Sequence, residues 1–427
     1  MRKLQEVMQM NREESDIHPS EKDLEQKKQR KLDRIYARPI LWYLIFTSIC
    51  VFGRDSILAP LDISETIYYY IRYGLPTIVA LYAMLFVKGK YLAWFAGLEL
   101  LFGFSYLFAY TQDNMLVDNI LVYTITTLII CTPGTVCLAS IEDYDFFYQK
   151  LKWTSVFVST MAIIYIYQPF EGTTYSMPAS YQILWCSVLH VNEVLKKNNK
   201  KSERLLFAAF CIFEVITIFL RGARGPLVCF AIFLAAKIII EMRNNKVVMI
   251  PGLIGVAAVV AIAQNVDKVL AWISSQLNQM DLYSRNLDYI MSNAVFDGSG
   301  RDFLRNKAVD LILERPLWGY GASSDVKLLD GQYVHSLPLE LMFDFGVLFG
   351  GIAFVLICIY VIGVFFSKEG VKRDLKLIFL TEGFVMLFFS GTYLQSVFFF
   401  LFIGIVLSEQ HNGDVVVKIQ PGDGVNP

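Results

Sequence analysis

The sequence predicts an all-α fold: a polytopic transmembrane helix bundle of about twelve spans with a large, partly helical extracytoplasmic loop. Three observations lead there. The 427 residues are 55% hydrophobic and 15% aromatic, with a mean hydropathy of +0.47. Only 18% are charged, against about 25% in an ordinary soluble domain. Apolar runs repeatedly approach or exceed the roughly 20 residues that a helix needs to cross a bilayer. A soluble protein of this composition would have to bury nearly every helix on all sides.

Residues 1–38 are expected to be a cytoplasmic N-terminal tail, partly helical or disordered. They are mixed in charge and carry no apolar core before Pro39, which excludes a signal peptide, and they end in a basic run from Lys27 to Arg38. Nine spans are then expected within 39–264, near 39–59, 66–87, 91–110, 117–140, 151–170, 178–195, 204–220, 225–242 and 246–264. The stretch 178–195 is the most interrupted, by Gln182, His190 and Asn192. Residues 265–344 form the large loop. Spans near 345–366, 374–391 and 393–408 come next within 345–408, and 409–427 is a cytoplasmic C-terminal tail.

Charge is sorted by membrane side. With the N-terminus inside, the inner loops hold Lys88, Lys90, Lys150, Lys152, the cluster from Lys196 to Arg204, Arg243, Lys246, and the cluster from Lys368 to Lys376. The short outer loops lean acidic, with Asp62, Glu65, Asp113, Asp118 and Glu171. This positive-inside bias places 265–344 outside. The net charge of −1 therefore gives no indication of nucleic-acid binding. All seven cysteines lie in apolar stretches, so neither a disulfide framework nor a zinc site is indicated. No G-x-G-x-x-G or P-loop occurs, and no cofactor or metal is expected. Asp143-Tyr144-Asp145 has the DxD form of nucleotide-sugar enzymes, but it stands without a soluble nucleotide-binding domain and is read as chance.

The large loop reads as folded. Ser299 and Asp302 form a capping-box pattern that starts a helix near Gly300. Leu304, Ala308, Leu311 and Ile312 recur at helical spacing, and Pro316 ends it. Gly319 and Gly321 permit a tight turn. Ser336, with Pro338 in the first turn, starts the next helix. Earlier in the loop, Val269, Ile273, Leu277 and Met280 share a helical face suited to a membrane surface.

Several groups are candidates for chemistry. Arg221 and Arg224, in the run Arg-Gly-Ala-Arg-Gly-Pro, sit on the side that the charge rule disfavours. A helix start at Pro226 would aim its positive end at the same place, and planar guanidinium suits phosphate oxygens. Lipid headgroup contact or a structural salt bridge is the competing reading. His335, the loop's one histidine, is either a general acid or base or a structural residue. Glu340 and Asp344 follow it on one helical face, to orient it, to bind sugar, or to edge a solvated interface. Arg301 and Arg305 share a helix face and suit phosphate or an acidic saccharide. Arg285 and Arg315 add to the loop's cations, which in either case are open to simple solvation. Trp318 and Tyr320, with Tyr283, Tyr289, Phe296 and Tyr333, serve to stack on sugars, to build the loop's own core or to form an interfacial belt. Glu99, Glu214, Lys237 and Glu382 lie in or near apolar spans and read as structural pairs facing the bundle interior.

Arg-Gly-x-Arg at an outer helix junction, followed by Gly300-Arg301, Glu-Arg-Pro-Leu-Trp-Gly-Tyr-Gly and Val-His-Ser-Leu-Pro-Leu-Glu-Leu-Met-Phe-Asp-Phe-Gly-Val-Leu-Phe-Gly, resembles the O-antigen ligase and polymerase family of bacterial surface polysaccharides. The topology resembles that family over nearly the whole chain, and the motifs do so over 221–226 and 301–351. The resemblance implies transfer of a glycan from an undecaprenyl-diphosphate donor to an acceptor hydroxyl on the outer face of the cytoplasmic membrane. It implies that Arg221, Arg224 and Arg301 contact the diphosphate, that His335 is the base for the acceptor, and that Glu340 is the family's recurrent acid. Arg305, Trp318 and Tyr320 become glycan contacts. The family usually has Asn after the histidine; this chain has Ser336. The expected activity is polymerisation of lipid-linked repeat units into exopolysaccharide, capsule or O-antigen, with a flippase and a chain-length regulator as partners. The alternatives are a ligase that attaches finished glycan to lipid A core or protein and, from another class, a lipid-linked-oligosaccharide flippase or transporter. A transporter would more often show inverted repeats, and none is visible.

Overall fold

The computed structural model describes residues 21–53, 67–68, 70–111, 123–166, 177–196, 199–221, 224–244, 266–279, 287, 291, 301–368 and 370–413. Among these, 88% are helical and none is in a strand. The helices are α1 (Glu21–Gly53), α2 (Leu75–Met84), α3 (Gly89–Thr111), α4 (Thr132–Ser140), α5 (Tyr144–Ile166), α6 (Met177–Leu195), α7 (Lys201–Arg221), α8 (Arg224–Asn244), α9 (Val266–Gln279), α10 (Arg301–Glu314), α11 (Ser324–Leu328), α12 (Leu337–Phe366), α13 (Val371–Leu380) and α14 (Val397–Gly413). The expected span 246–264 lies outside the described residues.

Among the described residues, four helical stretches are long and apolar enough to cross a membrane: Leu24–Gly53, Gly89–Ala109, Tyr123–Ser140 and Leu337–Phe366. A count of twelve spans is not established. The other long helices are diluted by polar residues that pair inside the bundle. Glu214 on α7 lies 2.9 Å from His190 on α6 and accepts from Ser159 on α5. Lys237 on α8 lies 2.8 Å from Asp374 on α13. Inside the apolar stretches themselves, Glu99 accepts from Thr132. These are the structural pairs expected of ionisable groups in spans, because an unpaired charge in lipid is costly. Glu382 is the exception: it is buried, and its Oε1 has no hydrogen-bond partner.

The end of the expected N-terminal tail is packed rather than free. Helix α1 begins at Glu21 and runs through Pro39, and Asp33, Ile35, Tyr36 and Ala37 are all buried. Asp33 explains the anchoring: its carboxylate accepts from the amides of Glu142 (3.1 Å) and Asp143 (3.2 Å). Those amides precede α5 and would otherwise lack partners. Asp143 in turn caps α5 through the Phe146 amide at 2.9 Å. Six cysteines are buried and Cys358 is half-buried, all as free thiols.

Three features of the loop and of the helices after it set up the site. Helix α10 buries Ala308 and Ile312, with Leu304 and Leu311 beside them, in a small core with Tyr320, Leu329, Val334 and Phe343. Helix α12 starts at Leu337 and breaks at Gly346, whose φ is 80°. The chain from α13 to α14 is not continuous helix. A π-helical turn at Thr381–Val385 and a 3₁₀ turn at Met386–Phe388 lead into an irregular turn with Gly391 at φ 83°.

Candidate active site

The break at Gly346 holds the loop in place. It frees carbonyls in α12, and the loop supplies their donors: Tyr320 N to Phe343 O at 2.8 Å and Gly321 N to Asp344 O at 3.0 Å. Val347 N returns a bond to Pro316 O at 2.7 Å. The two backbones touch so closely that a Cβ on Gly319 would lie 2.4 Å from Phe343 O, and one on Gly346 would lie 2.3 Å from Leu317 O. Both glycines also have positive φ, which side chains other than glycine resist. The Pro-Leu-x-Gly-x-Gly stretch is therefore a strap onto α12.

Beyond the strap, α11 presents Asp325 to the chain leading to His335. Its carboxylate accepts from Val326 N (2.9 Å) and Val334 N (3.2 Å). Burial raises this carboxyl to about 6. The peptide before His335 is thereby fixed, and His335 itself takes a left-handed backbone with φ 56°. Such a conformation is uncommon outside glycine and is found at functional sites when its surroundings enforce it. The ring of His335 lies 4.0 Å from that of Tyr333, tilted by 45°. It is 8% exposed, and its Nδ1 has no hydrogen-bond partner. Burial, then the charges of Arg301 and Arg305, lower its pKa to about 4.

The two arginines come from one face of α10, four residues apart. Arg301 donates to Phe389 O. Arg305 donates through Nη2 to His335 O at 3.2 Å and to Phe388 O at 3.3 Å, leaving its Nε without a partner. The turn before α14 thus receives both cations. It also meets Tyr333, whose hydroxyl accepts from Gly391 N at 3.3 Å. Glu340 and Asp344 brace the other side of this turn. Glu340 accepts from Thr392 Oγ1 and from Tyr393 N at 3.4 Å, and Asp344 accepts from the Tyr393 hydroxyl at 2.7 Å. Neither carboxylate is bonded to His335, so of the roles open to them in the sequence, orienting the imidazole is not the one seen.

Arg224 opens α8 and is half-buried. Its neighbour Gly225 lies against Tyr181 and Phe389, where a Cβ would fall 2.5 Å from Tyr181 Oη and 3.5 Å from Phe389 Cβ. The start of α8 therefore abuts the same residue whose carbonyl takes Arg301. Arg221 ends α7, and its side chain lies outside the described residues. Trp318 and Tyr320 stand apart from this group. Trp318 is 69% exposed and stacks on Phe349, with centroids 5.7 Å apart. Tyr320 belongs to the loop core, stacked on Phe343 and donating to Leu311 O at 3.1 Å. Ser336 precedes α12 without a side-chain cap bond. Pro338 accounts for part of this, since it removes one of the two amides that an N-cap side chain normally reaches.

Among the described residues, no group of three or more His, Cys, Asp or Glu is arranged to hold a metal ion. The arrangement joins a histidine kept neutral, two arginines in contact with one turn, and a helix start beside them. That combination suits a negatively charged leaving group next to a proton acceptor.

Residues 207–355 match the O-antigen ligase family. The O-antigen ligase match runs from α7 into α12 and takes in Arg221, Arg224, Arg301, Arg305, Asp325, His335, Glu340 and Asp344. It stops short of Thr392 and Tyr393, which complete the turn that the arginines contact. The match is consistent with the O-antigen ligase and polymerase family and with glycan transfer from lipid-linked substrates. No curated protein and no solved structure matches the chain.

Sequence reasoning missed Asp325 and the 388–393 turn. The signal for the turn was the short polar run Ser390-Gly391-Thr392-Tyr393 inside the terminal apolar stretch. Asp325 left no trace, because an acid in a polar loop reads as solvated.

Proposed function

We propose that this protein is an integral membrane glycosyltransferase that polymerises undecaprenyl-diphosphate-linked repeat units into a surface polysaccharide. The acceptor hydroxyl attacks the anomeric carbon of the donor glycan, the bond to the diphosphate breaks, and the hydroxyl proton passes to His335. The observation that carries this reading is the grouping of His335 with Arg301 and Arg305 at one turn, inside the segment that matches O-antigen ligase. A neutral imidazole can accept a proton. A diphosphate bound at the arginines offsets their charge and restores the basicity that their field removes. Arg224 and the start of α8 extend the anion site beside Phe389, and Arg221 is assigned to it from the resemblance alone. Because diphosphate is already a good leaving group, positioning and charge stabilisation are the main requirements. We place the site on the outer face of the cytoplasmic membrane, on the strength of the charge bias of the loops. A flippase would supply the lipid-linked unit there, and a chain-length regulator would limit the product.

A second reading, a ligase, is favoured by the description of the matched family. The two differ in acceptor, and a reconstituted assay separates them. Purified protein in proteoliposomes receives a synthetic undecaprenyl-diphosphate repeat unit, first alone and then with lipid A core. A ladder of longer lipid-linked glycans from the repeat unit alone supports the polymerase. Product only when lipid A core is present replaces it with the ligase. In either case Arg301→Ala weakens donor binding by about 1.5–3 kcal/mol, the worth of a lost charged hydrogen bond.

A further inference from the structure

At the end of the bundle remote from His335, a cavity of about 800 Å³ opens between α1, the chain entering α5, and the α12–α13 connection. Helix α12 separates the two places: the part of it after the break at Gly346, up to Phe366, alone spans roughly 30 Å at 1.5 Å per residue. The cavity wall carries four acids and four cations, and the two sets are not equally occupied. Asp33 is spent on the amides of Glu142 and Asp143. Glu142 is paired with Lys88 at 2.5 Å. Asp143 caps α5 through the Phe146 amide at 2.9 Å. Asp145 alone among the acids is exposed with no side-chain bond shown.

The cations are more available. Arg30 and Lys368 both line the cavity, both are exposed, and neither makes an ion pair among the described residues. The other two cations of the wall are engaged: Lys372 donates to Ser408 Oγ at 3.5 Å with its ammonium 4.4 Å from the centre of the Tyr144 ring, and Arg373 lies 3.7 Å from Glu241. Gly370, where α13 begins, also lines the cavity and offers no side-chain cap, so the first amides of that helix add positive potential. The apolar run of α12 ends at Phe366, one residue before the cavity wall begins at Ser367. The cavity thus sits where a bilayer gives way to its headgroups.

We propose that this cavity binds a phosphate-bearing anion, held by Arg30 and Lys368. The position favours the headgroup of an anionic phospholipid, whose phosphate is attracted to basic clusters at the membrane surface. Soluble phosphate has the same chemistry. The site shares no residue with the group around His335, and it stands whether or not the glycosyltransferase reading holds.

The test uses the full-length protein in nanodiscs. One set contains phosphatidylglycerol in phosphatidylcholine and the other phosphatidylcholine alone. Wild type is compared with the double variant Arg30→Gln, Lys368→Gln, both at exposed positions, and with the charge-keeping pair Arg30→Lys, Lys368→Arg. Native mass spectrometry should show phosphatidylglycerol retained by wild type and by the charge-keeping pair, and held roughly tenfold more weakly by the double Gln variant. Inorganic pyrophosphate in the phosphatidylcholine discs is the second arm. If it raises the unfolding temperature of wild type but not of the Gln variant, the ligand is soluble and the site is still an anion site. Equal phosphatidylglycerol retention together with an equal pyrophosphate response in all three proteins would overturn the proposal and leave these cations as topology signals only.

Discussion

His335 is held from three directions: Asp325 fixes the peptide on its N-terminal side, Tyr333 lies on its ring, and Arg305 takes its carbonyl. A left-handed backbone at a non-glycine residue costs roughly 1–2 kcal/mol, so these contacts must outweigh it. The pH dependence comes from the same neighbours. Protonation removes the base, so the rate falls as pH drops through the pKa of His335. In the free enzyme that pKa is about 4, and kcat/KM, which reports the free enzyme, should keep its His335 limb near that pH. In the donor complex the diphosphate offsets Arg301 and Arg305, the pKa rises, and the acid limb of kcat should lie at higher pH. Burial also holds the Asp325 carboxyl above the usual carboxylate range, so a further limb of kcat/KM that vanishes in Asp325→Asn would belong to that carboxyl and not to His335. A kcat limb at lower pH than the His335 limb of kcat/KM would contradict the charge argument.

The strap between the loop and α12 is the element that makes this geometry reproducible. Gly346→Ala places a Cβ at a φ of 80° and against Leu317 O. With ψ at 166° this is a region essentially reserved for glycine, and the backbone term alone costs roughly 1–3 kcal/mol. Hydrogen exchange should then show faster opening of residues 316–336 with α13 and α14 unchanged, and activity should fall. Unchanged protection across the strap would show that Gly346 does not hold it. Much of this element was readable in the sequence. The apolar positions of α10 follow helical spacing, Pro316 stops the helix, and Gly319 and Gly321 announce a turn. Arg301 and Arg305 share a face because they are four apart. The break at Gly346 was not readable, since a single glycine near the head of the apolar run from Phe345 to Phe366 carries no sign of it. Nor were the bonds from Thr392 and Tyr393 to Glu340 and Asp344, which join residues about fifty apart and leave no periodic trace. The packed part of α1 was also missed: a charged stretch reads as a tail until Asp33 is seen capping another chain segment.

At the scale of the molecule, a membrane bundle and a folded loop meet, and the proposed reaction lies at their junction. The charge sorting of the loops predicts that the loop faces outward. Gln332 is exposed at the loop surface, so Gln332→Cys in a background without native cysteines should react with a membrane-impermeant maleimide in intact spheroplasts. Labelling only after lysis would reverse the orientation. The most direct measurement of the central claim is turnover of His335→Ala and His335→Gln by purified protein on a synthetic lipid-linked repeat unit, with lipid A core supplied in a parallel reaction. A positioned general base is worth about 100- to 10,000-fold in rate. Both variants should lose that much in either reaction while still inserting and binding donor, because glutamine can hydrogen-bond but cannot take the proton at neutral pH. Near-wild-type turnover by His335→Gln would reduce the histidine to an orienting hydrogen bond, and near-wild-type turnover by His335→Ala would remove it from the reaction.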